Sequence, residues 1–171
     1  MDTVFNYMNF LLFGYSISTI IFLLATLFVK RFKTLKSDYL DIANLFALFL
    51  AVAVTLITAI NYYKNQIAIP LNDLFPPDHR NYFYTAIFLT GVMPLLFLDK
   101  RLRKNIVITL IVVACVSWFL FNERLYIWIT HYYREYLPAN SPIPYIVAAT
   151  IIYFAAVFIL AEKKKKRLPN Q

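Results

Sequence analysis

Long apolar runs alternate with short polar stretches along this chain, and the alternation predicts its architecture. The runs cover about 9–29, 41–63, 81–98, 105–130 and 143–160. A helix needs about 20 mostly apolar residues to cross a bilayer, and each run is close to that length. None shows the every-second-residue alternation of a membrane barrel. Because backbone groups in hydrocarbon must be satisfied within the segment, the runs are expected to be helices. The reading is an all-α integral membrane protein: one transmembrane domain with a bundle of about five helices, followed by a basic tail over 162–171. The first run is too long for a signal-peptide core and lacks a basic stretch before it. Its positive charges follow as Lys30, Arg31, Lys33 and Lys36, so it reads as a retained signal anchor. Pro94, near the end of the third run, is expected to kink its last turns.

Charge adds an orientation. Of the 17 Lys and Arg residues, thirteen lie after the first, third and fifth runs, and four lie on the opposite side. Cytoplasmic loops carry the excess of Lys and Arg, which places the N-terminus outside and the C-terminus in the cytoplasm. Four or six spans would split the basic clusters between the two sides. The expected location is a bacterial inner membrane.

Composition agrees with this picture. The 171 residues are 61% hydrophobic and 15% charged, against about 25% charged in soluble domains. The net charge of +8 comes from clusters between apolar runs, so the basic residues read as topology signals and no nucleic-acid partner is expected. The run from Lys163 to Arg167 reads as topology and contact with anionic lipid. Cys115 is the single cysteine, which excludes a disulfide within the chain.

Candidate chemistry is concentrated where the fourth run leaves the membrane. At about 1.5 Å per residue, Glu123 lies about 27 Å beyond Asn105, near the outer edge of a hydrocarbon core about 30 Å thick. On a continuing helix, Arg124, Trp128, His131 and Glu135 share a face, with Glu123, Ile127, Thr130 and Arg134 in the adjacent row. One reading gives Glu123, Arg124 and His131 a proton-exchanging role at a polar site, the chemistry that a quinol head group requires. Trp128 and Arg134 would then bind the cofactor, together with Asp78 and His79 from the loop on the same outer side. The other reading makes the arginines snorkelling anchors, the aromatics an interfacial belt, and Glu123 a counter-ion. No metal-ligand spacing occurs. His79 and His131 are too few and lie too far toward the outside for a haem held between two spans. Soluble enzyme motifs are also absent.

Two stretches carry a family resemblance. The ending Pro94-Leu-Leu-Phe-Leu-Asp-Lys-Arg-Leu-Arg-Lys104 resembles the span and basic loop of the NrfD-like family. Its members are polysulfide-reductase membrane anchors that also supply membrane subunits of alternative complex III. Glu123-Arg124 with Ile127, Thr130, Arg134, Leu137 and Pro138 resembles the pattern closing a later helix of that family. The resemblance covers about 40–160, and only the family's C-terminal spans. It implies a helical subunit that binds or oxidises quinol near the outer face and passes electrons to iron–sulfur or haem partners. Family members usually have eight or more spans, with quinone contacts in an earlier four-helix bundle, which implies a shortened paralogue or a subunit completed by partners. The expected function is therefore a membrane subunit of a quinone-linked respiratory electron-transfer complex, at most a non-autonomous part of the enzyme. No cofactor is expected on this chain alone, quinone is the ligand implied, and the partners are lipid and other membrane and redox subunits. Two alternatives stand beside it: a non-catalytic anchor or assembly protein, and a small oligomeric transporter.

Overall fold

A computed structural model describes residues 2–66, 85, 87–118 and 143–167 of the chain. Among these the regular structure is helical throughout, with no strand. Helix α1 spans Asp2–Phe28 and α2 spans Lys30–Gln66. A helical segment, Phe88–Leu98, leads into the single turn Lys100–Arg103, then α3 at Ile106–Trp118 and α4 at Ile143–Arg167. Three stretches, Tyr7–Phe28, Lys30–Ile60 and Ile143–Lys166, are long and apolar enough to cross a membrane. The chain has the helices of a membrane protein. As described, Phe88–Leu98 and Ile106–Trp118 are shorter apolar helices.

The chain reverses at one residue. The N–H of Val29 donates to the Ala25 carbonyl at 3.0 Å, the last bond of α1, and the Val29 carbonyl accepts from the Lys33 N–H at 3.2 Å, the first bond of α2. Beyond this joint the two helices lie side by side in opposite directions. Phe22 stacks on Tyr39 with ring centroids 3.6 Å apart, and further along Tyr15 reaches Asn44. The basic stretch Lys30–Lys36, expected as a loop, forms the first turns of α2 instead. At 37 residues α2 is about 55 Å long, well beyond a core of about 30 Å, so its polar start projects past the apolar part without unwinding.

Helix α4 runs the same way as α1. Phe10 stacks on Tyr145 at 5.8 Å, and Gly14 lies against Ala149. A Cβ on Gly14 would sit 2.9 Å from the Ala149 carbonyl carbon and oxygen. The contact is backbone to backbone, the close approach that small residues permit between membrane helices. Aromatic rings fill the space among α1, α2 and α4: Phe22 meets Phe32 and Phe154 as well as Tyr39, and Phe154 stacks on Phe158. The basic stretch expected as a tail is helical to Arg167.

The winding of the helix changes next to Pro94. Phe88–Val92 is a π-helix, whose C-cap Met93 N–H bonds the Phe88 carbonyl, and Met93–Leu98 winds as a 3-10 helix with Pro94 near its start. Pro94 has no N–H to continue the ladder, and the change of winding takes up the lost bond. Asp99 then caps the next turn by accepting from the Arg101 N–H at 2.7 Å, and Asn105 opens α3 by accepting from the Val107 N–H at 2.9 Å. These side chains satisfy N–H groups that a helix start leaves unpaired, and they hold the basic turn in place.

Candidate functional site

The described polar residues converge where α2, the 99–105 turn and α4 meet. Asp38 and Asp41 are three residues apart on α2, which puts both carboxylates on one face. Lys164 of α4 reaches this face, with Nζ 2.6 Å from Asp41 Oδ2 and 3.4 Å from Asp38 Oδ1. Arg103 approaches from the turn, its Nε 3.2 Å from Asp41 Oδ1. That N–H is not aimed at the oxygen, so the pair attracts by charge without a hydrogen bond. The Asp41 side chain is only 11% exposed and Arg103 16%, so water screens their attraction weakly.

One turn further along α2, Asn44 is fully buried and uses both ends of its amide. Its Oδ1 accepts from the Tyr15 hydroxyl at 2.8 Å, and its Nδ2 donates to the Arg103 carbonyl at 2.6 Å and to Thr109 Oγ1 at 2.7 Å. The amide orientation follows from its partners, since a carbonyl can only accept. Tyr153 of α4 adds a bond from its hydroxyl to the Ala43 carbonyl at 2.7 Å. This one network therefore ties α1, α2, the basic turn, α3 and α4 together.

Chemically the network is paired mainly within itself, although Asp41 Oδ1 and Arg103 Nε are buried without a hydrogen bond. Two carboxylates face two cations, and the Asn44 amide is saturated, which suits holding helices in register better than moving protons. Among the described residues, no three His, Cys, Asp or Glu side chains converge as a metal site would require. A second charged contact lies nearby. Arg31 donates through Nε at 2.9 Å and through Nη2 to Glu162 Oε1, and its guanidinium lies 5.8 Å from the Phe158 ring centroid. With Arg31 to Glu162 and Asp41 to both Arg103 and Lys164, the basic clusters that follow the first, third and fifth apolar runs gather at one end of the bundle.

The residues singled out in the sequence, Asp78, His79, Glu123, Arg124, Trp128, His131 and Arg134, all lie outside the described residues. The network found instead was hidden among residues read as topology signals. Its trace in the sequence is the spacing Asp38, Asp41, Asn44 at the mouth of an apolar run, just after the basic stretch that ends at Lys36. Comparison with known protein families, with characterised proteins and with solved structures finds no match.

Proposed function

We propose that the chain is a non-autonomous helical subunit of a larger membrane assembly, crossing a bacterial inner membrane five times with its N-terminus outside and its C-terminus in the cytoplasm. One observation carries the subunit reading: only 17% of the apolar window of α4 is buried. Ile143, Val147, Ile151 and Ile152 all stand exposed, so most of this helix requires lipid or a neighbouring subunit as its solvent. The gathering of the basic clusters at one end supports a common cytoplasmic side for them.

Within that reading the assembly is a quinone-linked respiratory electron-transfer complex. This rests on the resemblance of the Pro94–Lys104 and Glu123–Pro138 stretches to the NrfD-like family and on the proton-exchanging set Glu123, Arg124 and His131, with Trp128, Arg134, Asp78 and His79 around the quinol. The self-contained network at the basic end favours a scaffolding share of the work, with redox chemistry supplied by partners.

The test is purification of the tagged native protein in a gentle detergent, with mass spectrometry and an optical redox spectrum of what accompanies it. Haem or iron–sulfur subunits at a fixed ratio are expected, with loss of quinol-dependent turnover in Glu123→Gln. A chain recovered alone and colourless defeats the respiratory assignment.

A further inference from the structure

A cleft of about 360 Å³ lies at the basic end, lined by Arg31, Thr34 and Leu35 of α2 and by Glu162, Lys165 and Lys166 of α4. On each helix the lining residues follow the three- and four-residue spacing of a single face, so two helix faces look at each other across it. The cleft surface is mostly apolar, and Arg31, Lys165 and Lys166 bring basic side chains to it. Leu35 is 2% exposed. Among the described residues, Glu162 is the one carboxylate in the lining, and it is engaged by Arg31. Among the described residues no carboxylate pairs with Lys165 or Lys166, while their neighbour Lys164 turns inward to Asp38 and Asp41. The lining therefore holds three cations against one anion.

The cleft also adjoins the end of an apolar helix. The apolar run of α4 ends at Leu160, with Ile159 and Leu160 exposed, and the cleft residues begin two positions later. On the membrane placement proposed above, on which this inference rests, its cationic groups stand at head-group depth, beside helix surface that faces acyl chains. Basic pockets between membrane helices in this position bind anionic head groups.

We propose that this cleft is a binding site for the phosphate ester of an anionic phospholipid. Lys165 and Lys166 supply the free positive charge, and Glu162, by occupying Arg31, sets the affinity below what three free cations would give. The site differs from the diffuse attraction of a basic tail because it depends on which lysines are present and not on their number.

Binding of phosphatidylglycerol to the purified full chain, measured by native mass spectrometry from micelles with phosphatidylcholine as the neutral comparison, tests it. A one-to-one phosphatidylglycerol adduct is expected. Lys165→Ala with Lys166→Ala should weaken it about tenfold or more. Lys30→Ala with Lys163→Ala removes the same charge from exposed residues outside the cleft, and should change binding less than about twofold. Glu162→Gln, which frees Arg31, should strengthen binding several-fold, a direction that damage to the fold would not produce. Equal losses in the two double variants, or weaker binding in Glu162→Gln, would overturn the site. Saturable binding of inorganic phosphate with no preference for the lipid would overturn the lipid assignment in favour of a soluble phosphate.

Discussion

Asp41 and Glu162 sit at the same end of the bundle and both face basic side chains, yet their surroundings differ. Asp41 lies between Arg103 and Lys164, the three side chains being 11%, 16% and 34% exposed. Glu162, 25% exposed, meets an Arg31 that is 67% exposed. Charges that share a dry pocket depend on one another, because a partner's removal leaves an uncompensated ion. Charges that share an open cleft can be replaced by water. Ion pairs of similar chemistry therefore serve as a structural knot in one place and as an adjustable binding surface in the other.

The sharpest way to break this contrast is Asp41→Asn. Among the described residues it removes the one carboxylate paired with Arg103 and leaves Lys164 with Asp38 alone, and a loss of about 3 kcal/mol is expected in equilibrium unfolding from micelles. Adding Arg103→Met should restore part of that stability, since the stranded cation is gone; an unchanged or additive loss would show that the two residues do not act as a pair. An intermediate effect is expected from Gly14→Ala, far from both ion pairs. The new methyl meets the Ala149 backbone, and overpacking of this kind costs about 1–3 kcal/mol; a wild-type unfolding midpoint would mean that α1 and α4 are not in backbone contact. The smallest effect belongs to Glu162→Gln, whose stability should move by less than about 1 kcal/mol. A loss as large as that of Asp41→Asn would erase the distinction between the two sites.

Much of the architecture is legible in the apolar runs. Their length and lack of alternation give helices, and α1, α2 and α4 each contain the span expected of them. The ends are less legible. Lys30–Lys36 and Glu162–Arg167 read as loop and tail because they are charged, but Lys, Arg, Leu and Glu are good helix formers, and ion pairs across the bundle hold these extensions against their neighbours. The effect of Pro94 is visible in sequence only as a disturbance, since the choice between a kink and a change of winding depends on what packs beside it. Gly91 is one such neighbour, held against Thr55 with no room for a methyl. The polar network is the hardest part to read. A basic residue's position beside an apolar run tells which side of a membrane it prefers, but nothing local to Asp41 says that its partners are Arg103 and Lys164.

The distance between those partners along the chain has a consequence for biogenesis. Lys164 is separated from Asp41 by 123 positions, so the ribosome makes the acid early and its counter-ion near the end of synthesis. Until then Asp38 and Asp41 wait without Lys164, and the first hairpin has its own contacts and those to Arg103 and Thr109. Closure of the network is thus a late event: a nascent chain that stops short of Lys164 has Arg103 as the counter-ion of Asp41 and, among the described residues, none for Asp38.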